Sequence, residues 1–212
     1  MRVVSWNVRS LRDDARGVAR VLAALEPDVV CLQEAPRLLL WRTARRRLAR
    51  RAGLRVLSPG RACGVTVLGG HRATTLGAYD VLLPPRPGLH RRAVAVARVE
   101  VDGRALAVAS THLDLRDPPR TDSAARVRAA LPDGPLVLAA DVNAPPGAPA
   151  WEALGDGLVD ARAGLGPTFP ARAPDRCIDG LWASPGLRVT AARVAAEAGL
   201  ASDHLPLVVD LR

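Results

Sequence analysis

The segment AVAVARVEVDGRALAVASTHL (93–113) restricts the fold more than any other part of the chain. Asp102-Gly103 between two apolar arms is a strong hairpin signal, because a tight two-residue turn needs residues that tolerate positive φ. The arms are mostly Val and Ala with little polar alternation, so both strands are expected inside the molecule, covered on both faces. Upstream, VVSWNV (3–8) and VVCLQE (29–34) read as strands, each followed by a helical pattern. Val18, Val21, Leu22 and Leu25 recur at helical spacing behind Asp13 and Asp14, which suit a helix start. Pro36 is read as opening a second helix that reaches Leu48, since a proline's missing amide hydrogen is harmless there. Helix following strand twice predicts that both faces of an early sheet are covered. With the hairpin, the sheet must be mixed.

Short β-like pieces separated by Gly and Pro follow: RVLSPG, ACGVTVLGG and ATTLGAYDVLLPP. Residues 120–131 read as a helix, LVLAADVN (136–143) as a strand and PGAPAWEAL as a helical turn. CIDGLWAS, LRVTAARVA and LPLVVDL close the chain as strands. At 212 residues and 49% hydrophobic, the sequence supplies one complete core, and one domain over 1–212 is expected. No run approaches the roughly 18 apolar residues of a membrane span. Without an apolar leader, a cytoplasmic location is the default expectation, with a monomer as the default state.

Three cysteines, Cys31, Cys63 and Cys177, with no CxxC pair, support neither a disulfide framework nor a thiolate zinc site. The net charge of +9 suits a polyanionic partner, although a bias towards Ala, Arg, Gly and Pro along the whole chain contributes to it. RRRLARR (45–51) reads most simply as a solvated helix face.

The informative pattern is what stands where the apolar runs stop. Asn7 lies late in the first strand, Glu34 ends the second, and His112 follows LAVAST. Asp141 and Asn143 end LVLAAD, Asp179 interrupts CIDGLW, and Asp203-His204 precede the last strand. Each has a local explanation, such as a strand terminator, a helix-start carboxylate or an Asx turn before Pro145-Pro146. Asp179 is harder to explain so, because a carboxylate in an apolar run must be paired or hydrogen-bonded if buried. In sheets with helical cover, ligand sites gather at strand ends. A site rich in Asp, Glu and Asn suits a hard cation such as Mg²⁺ or Mn²⁺. Glu34 is the natural ligand, aided by Asp203 and Asn7. His204 suits a general base, and Asp179 a buried partner that fixes its tautomer. With no serine elbow or nucleophilic cysteine motif, direct attack by activated water is favoured over a covalent intermediate.

In this order, SWNVRS, CLQE, STHLD, AADVNAPP, GPTFP, CIDGLWAS and SDHLP resemble the motifs of the endonuclease/exonuclease/phosphatase superfamily over nearly the entire chain. The resemblance implies a four-layer α/β sandwich of two facing, mixed, mainly antiparallel sheets with helices outside. It implies hydrolysis of a phosphate ester with a divalent cation. It likens Asn7 to the asparagine that helps hold the metal and phosphate, Glu34 to the principal metal ligand and Asp203 to the metal-side aspartate. His112 is similar to a histidine that contacts the phosphate, Asp141 and Asn143 to the pair that orients nucleophile or phosphate, and His204 with Asp179 to the catalytic histidine and its partner. The fourth motif here is Ala140-Asp141-Val142-Asn143 where the family often has Gly-Asp-Phe-Asn. The fifth is Cys177-Ile178-Asp179-Gly180 where Arg-Ile-Asp-Tyr is usual, so any contact made by that Arg and Tyr is missing. His112 stands where abasic-site enzymes carry a tyrosine, which argues against a dedicated abasic-site role. The chain is short for the superfamily, so loops that grip DNA or lipid are expected to be small.

The expected mechanism has Mg²⁺ on Glu34, His204 taking a proton from water, and Asn7, Asn143 and a protonated His112 stabilising phosphoryl oxygens. Arg91 and Arg92 are candidates for phosphate contact. The leading reading is a nuclease acting on DNA, from the charge and His112. Against it, one Tyr, one Phe and four Trp leave few platforms for stacking unpaired bases. One alternative is a phosphatase or phosphodiesterase acting on inositol phosphates, a phospholipid head group or a small metabolite. Another is a non-catalytic scaffold that binds phosphate or a protein.

Overall fold

The computed structural model describes residues 1–60 and 63–212. Two six-stranded sheets lie face to face. The first runs β11 (Val189–Val194), β12 (Leu207–Leu211), β1 (Arg2–Asn7), β2 (Val29–Gln33), β4 (Thr66–Gly69) and β3 (Arg55–Val56). The second runs β5 (Ala73–Leu82), β6 (Ala93–Val101), β7 (Arg104–His112), β8 (Leu136–Asp141), β10 (Asp179–Ala183) and β9 (Val159–Asp160). Each sheet is antiparallel except for one parallel pair, β1 with β2 and β7 with β8. The hairpin at Asp102-Gly103 forms with both residues at positive φ, 51° and 75°. Ala62, the first residue of the ACGVTVLGG piece, lies outside the described residues, and the strand there begins at Thr66.

Period-two alternation sorts the side chains into three apolar layers. Val3, Val29, Cys31 and Val67 of the first sheet meet Val99, Val108, Val137 and Leu181 of the second between the sheets. Val4, Trp6, Val30 and Leu32 point outward onto the helices α1 (Ala15–Leu25) and α2 (Trp41–Arg51). Val94, Val96, Leu138 and Trp182 point outward from the other sheet, among Val127 of α3 (Pro119–Ala130) and Trp151 of α4 (Pro149–Gly155). The result is four layers, helix, sheet, sheet, helix.

Two local expectations change. The first two helices do not cover opposite faces of the early sheet: α1 and α2 pack together on its outer face, because the second sheet occupies the inner one. The second helix starts at Trp41 rather than Pro36. Glu34 and Leu40, at φ 45° and 58°, interrupt the helical path. Arg45 holds the intervening turn by donating from Nε to the Pro36 carbonyl at 2.8 Å and from Nη1 to the carbonyls of Gly60 and Val65 at 3.1 Å. Arg45 is therefore a buried cation, not part of a solvated face, and burial lowers its pKa to about 10. Asp14 caps α1 by accepting from the Arg16 amide. The three cysteines are free. No helix among the described residues is long and apolar enough to cross a membrane.

Candidate active site

The inward-facing positions change from apolar to polar towards one end of the sandwich. Along β1 they read Val3, Ser5, Asn7; along β2, Val29, Cys31, Gln33; along β7, Val108, Ser110, His112; along β8, Val137, Ala139, Asp141. On β10, which runs the other way, Leu181 is followed by Asp179 at the same end. Register makes this a row: His112 pairs with Asp141 across β7–β8, and Asp141 with Asp179 across β8–β10. Gln33 bridges the sheets just behind, donating from Nε2 to Ser5 Oγ at 3.3 Å and to Ser110 Oγ at 3.2 Å.

Asp141 Oδ2 is the meeting point. It accepts from Asn7 Nδ2 of the first sheet at 2.7 Å and lies 3.5 Å from His112 Nε2 and 4.0 Å from His204 Nε2. His204 is oriented through its other nitrogen, Nδ1, which is 2.9 Å from Asp179 Oδ2. Thr168 Oγ1 donates to the same Asp179 oxygen at 2.5 Å. Phe169 lies against the His204 ring with centroids 4.6 Å apart, and the His204 carbonyl accepts from Trp6 Nε1 at 2.7 Å. Asn143, held at φ 55°, donates from Nδ2 to His112 Nε2 at 3.0 Å and to the Leu113 carbonyl at 3.1 Å. An amide NH₂ can only donate, so His112 Nε2 accepts and the ring is neutral.

Glu34 and Asp203 form the open, acidic edge. Asn7 Nδ2 also reaches Glu34 Oε1 at 3.4 Å, while Asn7 Oδ1 accepts from the Arg9 amide at 3.0 Å. Asn7 thus presents its NH₂ to the carboxylates and bridges Glu34 and Asp141. Asp203 pairs with Arg9 Nε at 3.3 Å and lies 3.4 Å from Ser202 Oγ. Ser202 also fastens this loop to β1 by donating to the Asn7 carbonyl at 2.8 Å.

A family model described as "Endonuclease/Exonuclease/phosphatase family" matches residues 4–204. The chain belongs to the endonuclease/exonuclease/phosphatase family. No curated protein matches it by sequence. Among solved structures it is similar to a mannosyl-6-phosphatase of Bacteroides thetaiotaomicron VPI-5482, at TM-score 0.84 and 16% identity over 100% of this chain and 99% of that one. It is also similar to D. rerio TDP2 complexed with single strand DNA product, at TM-score 0.78 and 19% identity over 100% and 98%. An endonuclease/exonuclease/phosphatase from Beutenbergia cavernae DSM 12333 is 25% identical at TM-score 0.73, over 100% of this chain and 71% of that one. The first two share the fold of this family member.

The electrostatics of this family member's site follow from crowding. Burial is the largest influence on His204 and lowers its pKa, but Asp179, Asp141 and Asp203 together outweigh it and bring the imidazole to about 9. Burial and the Asp179 charge raise Asp141. Burial, then the positive charges of Arg92, His204, Arg37 and His90, hold His112 well below its ordinary value. This shift and the contact with Asn143 both favour a neutral ring over the protonated His112 expected from the sequence. Asp203 is raised by burial and by repulsion from Glu34 and Asp13. That repulsion and the all-oxygen donor set of Glu34 and Asp203 fit a hard cation. A tighter group, Asp141, Asp179 and His204, offers ligand atoms within 4.8 Å of one another. Its Asp179 Oδ2 is already committed to Thr168 and His204, and Asp179 Oδ1 is buried with no hydrogen-bond partner among the described residues.

Arg91 and Arg92 each make a contact within the protein. Exposed Arg91 donates from Nε to the Leu83 carbonyl at 3.0 Å, and half-buried Arg92 pairs with Asp114 at 3.1 Å, which also accepts from Ser123. Sequence reasoning gave no role to Thr168, although it stands in the GPTFP stretch, nor to Arg9, Ser202 or Arg120. Arg120 Nη1 donates to the Asn143 carbonyl at 2.5 Å. Arg9, Ser10 and Leu11 hold three consecutive positive φ values, 42°, 55° and 60°, a costly conformation for non-glycine residues. The reward is the Ser10 amide bond to the Glu34 carbonyl at 2.6 Å, which ties the two acidic loops together. Beside Asn143 opens a groove of about 960 Å³, whose lining includes Leu115, Pro146, Arg176 and Ile178. Arg176 lies over the Phe169 ring at 4.4 Å.

Proposed function

We propose that the chain is a phosphate-ester hydrolase, assisted by a divalent cation, in which activated water attacks phosphorus directly. The observation that carries this reading is the convergence on one buried carboxylate oxygen of Asp141: an amide from the opposite sheet and two imidazole nitrogens approach it. Glu34 and Asp203 would hold the cation, Mg²⁺ or Mn²⁺, which when bound supplies Lewis-acid stabilisation of the phosphoryl oxygens. Asn7 bridges these carboxylates to Asp141. His204, with a pKa of about 9 and Asp179 behind it, already carries a proton at neutral pH. It therefore serves as a cationic donor to the phosphate rather than the general base expected from the sequence. Asp141, with its basicity raised by burial and Asp179, takes the water proton. Asn143, both of whose amide hydrogens are committed to His112 Nε2 and the Leu113 carbonyl, fixes the orientation of His112 beside the phosphate, and Thr168 and Phe169 hold the Asp179–His204 pair.

DNA is the first substrate in this reading, supported by the net charge of +9. A head group or small-molecule phosphate ester is the second, supported by the internal commitments of Arg91 and Arg92 and by the groove beside Asn143, which has room for an organic leaving group. Both are tested by incubating the purified protein, with Mg²⁺, Mn²⁺ or EDTA, with plasmid DNA, an inositol phosphate, sphingomyelin and bis(p-nitrophenyl) phosphate. Cation-dependent nicking of the plasmid supports the first reading. Hydrolysis of a small ester or lipid without nicking reverses the order. No hydrolysis of any panel member, together with no cation binding that Glu34→Gln abolishes, would leave the scaffold reading.

A further inference from the structure

Leu38, Leu39 and Leu40 stand 73%, 93% and 70% exposed in the turn that follows Glu34. Single exposed leucines are ordinary, whereas three in succession on one turn form a contiguous apolar patch. The patch is built rather than frayed. The Trp41 amide donates to the Leu38 carbonyl at 3.0 Å, the Pro36 carbonyl is held by buried Arg45, and Leu40 is fixed in the left-handed region. The backbone accepts this strain and turns the apolar side chains to solvent.

Directly behind the turn, α2 exposes Arg42, Arg46, Arg47, Arg50 and Arg51. None of the five forms an ion pair with a carboxylate among the described residues. Arg42, Arg46 and Arg50 follow one another at four-residue spacing, as do Arg47 and Arg51, so like charges face each other along the helix, an arrangement that destabilises it on its own. From Ala35 to Tyr79 the sequence has ten arginines and no carboxylate. The helix therefore gains from a dense external source of negative charge.

We propose that this face docks on an anionic lipid surface, with the three leucines entering the interfacial region and the arginines contacting lipid phosphates. A nucleic acid would satisfy the arginines but leave the leucines against phosphate and sugar. A second copy of the chain would bring two arginine faces together. Leu38 is only four residues beyond Glu34, within about 14 Å of extended chain, so docking sets the candidate active site beside the membrane. Docking itself requires no turnover and does not depend on the hydrolytic reading.

The test is co-sedimentation of the full chain with vesicles of phosphatidylcholine alone or with added phosphatidylglycerol, beside a duplex DNA binding assay and light scattering. Binding to the anionic vesicles should exceed binding to the neutral ones by about tenfold or more. The double variant Leu38→Ser/Leu39→Ser should lose about tenfold in vesicle binding while keeping its unfolding temperature and its turnover of any soluble ester. Arg46→Gln/Arg50→Gln should lose about tenfold or more. The proposal is overturned if wild type stays in the supernatant with both vesicle types, or if the leucine variant sediments like wild type. It is equally overturned by a dimer that the leucine variant dissociates, or by DNA binding that the arginine variant abolishes while no vesicle is bound.

Discussion

The two ends of the space between the sheets are built on the same strands, with the same alternation, and differ only in what the inward positions carry. At one end Val3, Val101, Leu106 and Leu211 form an apolar interior. At the other, Asn7, Gln33, His112, Asp141 and Asp179 occupy equivalent inward positions, all buried. The apolar end contributes transfer free energy and tolerates no cavity. The polar end works against folding, since it buries two carboxylates, Asp141 and Asp179, on adjacent strands, and burial first, then their repulsion, raises the Asp141 pKa. Residues kept where they oppose stability are the ones to assign to function.

That contrast breaks most clearly at Asp141. Replacing it with Asn should cost about 10³-fold in ester hydrolysis, with the unfolding temperature equal to or above that of wild type, because a repelled buried charge is removed; steady-state rates and calorimetry on one preparation read both. At the other end, Leu211→Ala should do the reverse. Loss of a buried side chain between the sheets should lower stability by about 2–5 kcal/mol, measured by denaturant titration, while kcat below the transition stays within about twofold.

Much of this contrast is legible in the sequence, and the parts that are not have physical reasons. Apolar runs that end in Asn7, Glu34, His112, Asp141 and Asp203-His204 mark strand ends as places for chemistry, and the Asp102-Gly103 turn fixes the hairpin. That Asn7, His112, Asp141 and Asp179 all face inward needs the register of four strands in two sheets, which is a tertiary fact. The second helix begins five residues later than Pro36 suggests, because a proline permits a helix start without requiring one. Arg45 looked solvated within RRRLARR, since its carbonyl acceptors come from distant turns. The lowered pKa of His112 comes first from its burial and then from Arg92, His204 and Arg37, which no local pattern brings beside it.

Smaller effects sharpen the comparison. Thr168→Val removes the donor that steadies Asp179, leaving a buried carboxylate with an unmet oxygen. It should lower kcat about tenfold with KM unchanged, and Thr168→Ser should restore most of the rate. A structural role alone would leave the serine and valine variants alike. Far from the site, Arg2 joins Asp210 at 2.8 Å and holds its carboxyl below the usual range, chiefly by the side-chain hydrogen bond. A depressed folded pKa gives stability that is complete above the unfolded value of about 3.9 and is lost as pH falls through the folded one. Asp210→Asn should therefore lower the unfolding temperature at neutral pH, and the difference from wild type should close as pH drops below about 4. With both partners about one-third exposed, this is the smallest effect, under about 1 kcal/mol.

The measurement that bears most directly on the polar end as a hydrolytic centre is kcat/KM for wild type and His204→Ala on one phosphate ester, with Mg²⁺ or Mn²⁺ present. A fall of at least about two orders of magnitude, with circular dichroism and the cooperative unfolding transition preserved, is the predicted result. A change of less than about threefold in a folded variant would contradict it.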